Sequence, residues 1–148
     1  MIGIHSLVKT FKSGTDSVRA LDAVDLQVEE KEFFVLLGLS GSGKSTLLRC
    51  VAGLEKPEAG EIRLGEQLVS SVARGIFVAP EDRAIGMVFQ SYAVWPHMTV
   101  FNNVAFPLTD GKRKLPRSKV RERVMGALEM VQLSALADRP VPFLSGGQ

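Results

Sequence analysis

The chain has 148 residues, a formal charge of +2, 45% hydrophobic and 23% charged residues, enough apolar material for one modest core on the scale of a single domain. Its longest strongly apolar run, Phe33 to Leu37, is far shorter than the ~20 residues of a membrane-spanning helix. Met1-Ile2-Gly3-Ile4-His5 also lacks the charged-then-apolar plan of a signal peptide, so the expected location is the cytosolic side.

In chain order, Leu7-Val8-Lys9-Thr10-Phe11 and Leu26-Gln27-Val28 alternate and predict strands around the turn-like Lys12-Ser13-Gly14-Thr15-Asp16, an antiparallel flank. The run Phe33-Phe34-Val35-Leu36-Leu37 predicts a buried strand. It leads into Gly38-Leu39-Ser40-Gly41-Ser42-Gly43-Lys44-Ser45-Thr46, which satisfies G-x-x-x-x-G-K-[ST]. Ser45 to Ala52 then reads as a helix that stops at Gly53, with Leu47, Leu48 and Val51 on its apolar face. Cys50 lies on the inner side of this helix. As the single cysteine it excludes an internal disulfide, fits a reducing compartment, and reads as core packing rather than a reactive thiol.

Residue type dictates what such a loop can do. Glycines at 38, 41 and 43 let backbone N–H groups close around phosphate as a nest that no side chain could line as closely. The helix N-terminus adds the positive end of its dipole. Lys44 should reach the β and γ phosphates, the Ser45 hydroxyl should bind Mg²⁺, and Thr46 should hold the α phosphate region. The predicted ligand is a nucleoside triphosphate with magnesium.

Further on, Lys56 to Gly60 predicts a turn, Glu61 to Leu64 a strand, and Ile85-Gly86-Met87-Val88-Phe89 a second buried strand ending at Gln90. Ser91 to Gly111 reads as irregular, and from Arg117 the period becomes helical, with Val120, Val124, Leu128 and Val131 on one face. Lys112, Arg113, Lys114, Arg117, Lys119, Arg121 and Arg123 crowd one short stretch that contains only Glu122 as an acid. No aromatic residue is interleaved there, so a solvated face is expected and no nucleic-acid partner.

The phosphate loop, Met87-Val88-Phe89-Gln90 and the LSGGQ string Leu144-Ser145-Gly146-Gly147-Gln148 together resemble the nucleotide-binding domain of ATP-binding cassette (ABC) transporters, over essentially the whole chain. Lys44 and Gln90 lie 46 residues apart, and Gln90 and Gln148 lie 58 apart, as in that family. The resemblance implies an α/β fold: a P-loop NTPase (RecA-like) core with an antiparallel β flank over residues 1–90, then a loop and the start of a helical subdomain over 91–148. The stretch from Gln90 to Val104 is similar to ATPase subunits of bacterial binding-protein-dependent importers, the maltose, polyamine, iron, sulfate and phosphonate group. Val94-Trp95-Pro96-His97 leans toward the iron or phosphonate branch.

Roles implied by the resemblance attach to matching positions. Phe11 matches the aromatic residue that stacks on adenine, although simple strand packing also explains it. Gln90 matches the glutamine that contacts Mg²⁺ and positions the attacking water; an amide capping a turn is the plainer reading. Leu144, Ser145, Gly146, Gly147 and Gln148 match the signature that closes over ATP held by a second copy. Tyr92, Trp95, His97 and Met98 would face a membrane partner's coupling helix; Tyr92 and Trp95 suit the subdomain core equally well. Leu39 stands where these importers usually carry Pro, which should relax the loop's entry without removing a phosphate donor.

The family's Walker B aspartate and glutamate, D-loop and switch histidine lie beyond the signature, and neither His5 nor His97 takes such a role. The expectation is therefore a truncated cassette, inactive in hydrolysis by itself. Its segments Val35–Leu37 and Ile85–Phe89 should lack sheet neighbours, favouring aggregation or a partly molten state and weak MgATP binding. Within the implied assembly, two ATPase subunits pair as a homodimer with two transmembrane permease subunits and, indirectly, a solute-binding protein, at the cytoplasmic face of a bacterial inner membrane. A soluble non-transport ABC ATPase and a non-catalytic nucleotide-binding remnant are the rival readings.

Overall fold

The computed structural model describes residues 1–110 and 114–148. Lys112 and Arg113 of the expected basic face lie outside the described residues; Lys114, Arg117, Lys119, Arg121 and Arg123 are all exposed. The chain divides into two compact units, Met1–Val88 and Phe89–Gln148.

The first unit is built on a long hairpin, β1 (Ile2–Ser13) and β2 (Asp16–Val28), turning at Gly14 and Thr15. Both strands run longer than the alternation predicts because bulges interrupt it: the register shifts between Ile4 and Leu7 and again around Lys9. Ser6 sits at one bulge with φ 45°. The Asp25 carboxylate holds that turn, accepting the Ser6 N–H at 2.9 Å and facing His5 Nδ1 at 2.7 Å. The Ser6 N–H foremost keeps the Asp25 carboxyl below the usual carboxylate range.

Next come α1 (Lys44–Ala52), β3 (Ala59–Leu64), β4 (Gln67–Ser71) and β5 (Ile76–Phe77). The sheet order is β2-β1-β3-β4-β5, every pairing antiparallel. One face is covered by α1, so Leu47, Cys50 and Val51 share a core with Ile4, Leu7, Leu21, Ile62 and Val69. Leu48, expected on that apolar face, is instead 51% exposed. The predicted Gly53 stop is observed.

Two expected strands do not form. Phe33–Leu37 and Ile85–Phe89 are irregular and unpaired, and Phe33, Leu37 and Val88 are 93%, 89% and 98% exposed. A parallel strand is defined by ladder partners on its edges and apolar cover on its faces. Neither segment finds such a partner among the described residues, in line with the expectation that both lack sheet neighbours, and without one an apolar run does not make a strand.

In the second unit α2 (Val100–Thr109) and α3 (Arg117–Met130) pack through Val100, Ala105, Val120, Val124 and Leu128, with Ala137 completing the core. Helix α2 corrects the expectation of irregular chain up to Gly111. Thr99 caps it, its Oγ1 accepting the Asn102 N–H at 3.2 Å, and the helix runs on to Thr109 although Pro107 lacks the N–H for one i→i−4 bond. Val131 lies just past α3 and is exposed, not part of its buried face. Among the described residues no helix is long and apolar enough to cross a membrane.

Cys50 is fully buried in the first core, and that burial pushes its thiol from the ordinary 9.0 up to about 11. The folded chain therefore keeps this proton where the unfolded chain has released it. Its contribution to stability is complete below pH 9 and is lost as pH rises toward 11. Denaturant midpoints measured across that interval should fall more steeply for the native chain than for Cys50→Ala, and parallel profiles would refute the burial of the thiol.

Candidate functional site

The phosphate loop runs from the unpaired segment ending at Leu37 into the first turn of α1. Its bends are fixed locally: the Ser42 N–H donates to Leu39 O at 3.2 Å, and the Leu47 N–H closes the first helical bond to Gly43 O at 2.9 Å. Gly38, Leu39, Ser40, Gly41, Ser42 and Ser45 are exposed, and Gly38 O accepts from Lys44. Thr46 is half-buried.

Gly43 is the residue on which the loop turns. Its φ is 88°, and a Cβ there would stand 2.3 Å from Ala20 O of β2. Only glycine satisfies both demands, so strand and loop touch backbone to backbone. This contact also explains the place of Phe11. It pairs with Val18 across the hairpin, two residues from Ala20, which puts an exposed aromatic ring on the sheet element against which the loop packs. Lys9 Nζ stands 5.1 Å from the ring centroid and 3.4 Å from Glu55.

Electrostatically the N-terminus of α1 is open. Gly43 supplies no side-chain cap and the first turn contains no acidic residue, so the leading N–H groups have neither a carboxylate nor a hydroxyl of their own. Lys44 adds a full charge at the same place. Its Nζ donates to Gly38 O at 2.8 Å, Leu39 O at 2.7 Å and Ser42 Oγ at 3.1 Å. These three oxygens are neutral, and they occupy the positions in which anionic oxygens would be stronger partners. An arrangement of free N–H groups and one ammonium held by neutral acceptors suits a polyphosphate.

Magnesium fits this donor set in one way only. Among the described residues no group of three His, Cys, Asp or Glu side chains is placed to hold a metal, so Mg²⁺ would arrive with phosphate oxygens and take the exposed Ser45 hydroxyl.

The remaining predicted residues belong to the second unit. Gln90 is exposed at a bend after Phe89, and Tyr92 and Trp95 are 75% and 49% exposed, which removes them from the subdomain core. Trp95 keeps ring contacts with His97 and Phe106 at 6.2 and 5.9 Å, and His97 is exposed while Met98 is half-buried. Leu144 packs on the unit's core. Ser145-Gly146-Gly147-Gln148 forms a closed turn: the Gln148 N–H donates to Ser145 O at 3.0 Å and the Ser145 N–H to Gln148 Oε1 at 3.0 Å. Tyr92 Oη lies beside this turn, 3.2 Å from where a Cβ on Gly146 would be.

Sequence reasoning missed Arg83. Its side chain is 5% exposed; Nη1 donates to Cys50 O at 2.8 Å and Val51 O at 2.6 Å, and Nε donates to Val78 O at 2.9 Å. Burial lowers its pKa from the usual arginine value. Nothing in the local pattern marks it, because an arginine between polar and apolar residues reads as surface.

Comparison with known proteins completes the description. The family model described as ABC transporter matches residues 21–148. The chain is 50% identical over 131 residues to the trehalose/maltose import ATP-binding protein MalK of Thermococcus litoralis, covering 88% of this chain and 35% of that protein. It is 45% identical over 148 residues to the spermidine/putrescine import ATP-binding protein PotA of Marinobacter nauticus, covering 100% of this chain and 36% of that one. The chain thus spans about a third of the length of these curated relatives. Among solved structures it is similar to the ATP-binding cassette MJ0796, a dimer in a post-hydrolysis state bound to ADP and Pi. The TM-score is 0.82 at 32% identity, over 100% of this chain and 65% of that one.

The backbone contact at Gly43 sets a direct test. Gly43→Ala should lower stability by about 3 kcal/mol, through the strained φ and the clash with Ala20 O. An unshifted denaturation midpoint would mean that loop and β2 do not touch in solution.

Proposed function

This chain belongs to the ABC transporter family, and from that premise we propose that it is the nucleotide-binding part of an importer's ATPase subunit, coupling ATP binding and hydrolysis to solute uptake. The observation that carries the reading is the uncapped, acid-free N-terminus of α1 beside Lys44, whose ammonium rests on neutral oxygens. The similarity to import ATP-binding proteins supports the importer branch.

In this reading the backbone N–H groups from Gly38 to Thr46 enclose the phosphates, and Lys44 exchanges its loop acceptors for phosphate oxygens. Ser45 would hold Mg²⁺, which would neutralise phosphate charge when bound, and Gln90 keeps the Mg²⁺-contacting and water-positioning role that the family resemblance implies. Phe11 offers its exposed ring to the adenine. Ser145, Gly146 and Gly147 act on nucleotide held by a second copy, and Gln148 must release the Ser145 N–H for that amide to meet an anion. The acid or base that activates water is assigned to no residue of this chain.

The proposed assembly has two ATPase subunits with nucleotide between them and two transmembrane permease subunits, the latter met through the exposed Tyr92 and Trp95. The subunit would be peripheral, on the cytoplasmic face. Dimerisation should follow nucleotide, because ligand held between two surfaces stabilises their association by mass action.

Saturable MgATP binding, followed with a fluorescent ATP analogue, should weaken at least about tenfold in Lys44→Ala, since a charge-assisted contact to phosphate is lost. Equal binding by both proteins would refute the assignment of the site.

A further inference from the structure

Helix α1 has nine residues, a span of about 13 Å, and a helix of that length is marginal without help. Its N-terminus, the end offered to phosphate, has no side-chain cap. Whatever fixes the helix axis must therefore act along its buried face and at its other end.

The C-terminal end is held twice. Gly53 in the left-handed conformation closes the helix, its N–H donating to Cys50 O at 3.1 Å, while the Leu54 and Glu55 N–H groups donate to Arg49 O at 2.9 and 3.2 Å. Arg83 then reaches the terminal carbonyls of Cys50 and Val51 from outside the helix. Its Nε is bonded to Val78 O, next to β5, and its guanidinium stands 5.2 Å from the Phe77 ring centroid on β5 itself. The planar fork thus ties the helix end to the sheet edge.

The surroundings are shaped for this one side chain. A Cβ on Gly53 would come within 2.6 Å of Arg83 Nε and 2.8 Å of its Cζ, so glycine at 53 both ends the helix and admits the guanidinium. The positive charge faces the negative end of the α1 dipole, and the last carbonyls take the place of a counterion. Nη2 is buried with no hydrogen-bond partner among the described residues. An unsatisfied buried donor carries a desolvation cost, out of place in a residue whose only task is to add stability.

We propose that Arg83 is a positioning residue for the phosphate loop: by latching the C-terminal carbonyls of α1 to the β5 edge, it fixes the axis along which the helix's free N–H groups meet nucleotide phosphate. The inference rests on the nucleotide-binding reading of that loop. It gives the rear of the helix a part in phosphate binding that contact with ligand would never reveal. A latch of purely structural use would change how much protein is folded and leave the affinity of the folded fraction alone.

The test compares the full chain with Arg83→Met, Arg83→Lys and Lys44→Ala, titrating a fluorescent ATP analogue with Mg²⁺ at low temperature and scaling each result to the folded fraction from circular dichroism. Arg83→Met should weaken binding by the folded fraction about tenfold, and Arg83→Lys, which keeps the charge but not the fork, about threefold. If Arg83→Met does not fold, Arg83→Lys decides. Affinity within about twofold of the native chain in the folded Arg83 variants, alongside loss in Lys44→Ala, overturns the latch and leaves the functional reading standing. Failure of the native chain itself to bind the analogue overturns both.

Discussion

Everything in the first unit is arranged around a helix end that is left unsatisfied. Four N–H groups at the start of any helix need acceptors, and proteins ordinarily supply a serine, threonine or aspartate for them. Here the cap position is Gly43 and the first turn has no acid. The favourable energy that a cap would contribute is forgone, so the helix is stabilised elsewhere: by burial of Leu47, Cys50 and Val51 on the sheet and by the Gly53 and Arg83 closure behind. The antiparallel sheet, the glycine at 43 and the buried arginine all serve to hold in place a terminus that does not hold itself.

The parts of this design that were legible in the sequence are those encoded by short-range chemistry. The phosphate loop is contiguous, its glycines and lysine sit at fixed offsets, and the end of α1 follows from Gly53. The buried face of α3 was equally legible, because Val120, Val124 and Leu128 recur at the helical period. Helix α2 was not, since two asparagines and Pro107 argue locally against a helix, and the Thr99 cap and the packing on α3 overrule them.

The failures at Phe33–Leu37 and Ile85–Phe89 have a different origin. Hydrophobicity says that a segment prefers to leave water, whereas a strand also needs a neighbour in register, and that requirement is invisible in a local window. Arg83 failed for a related reason: two of its three acceptors, the Cys50 and Val51 carbonyls, lie more than thirty residues away in sequence. Gln90 and the signature belong to the second unit and the loop to the first.

The ammonium of Lys44 rests on three oxygens of its own loop, and this changes what recognition must accomplish. A long flexible side chain normally surrenders rotamer freedom at the moment of capture. In this chain much of that surrender has already occurred during folding, and what remains is a trade of one set of oxygens for another. A neutral newcomer gains nothing by such a trade, while a charged one does. In the proposed function the loop would thus sort its partners by charge before any shape is compared.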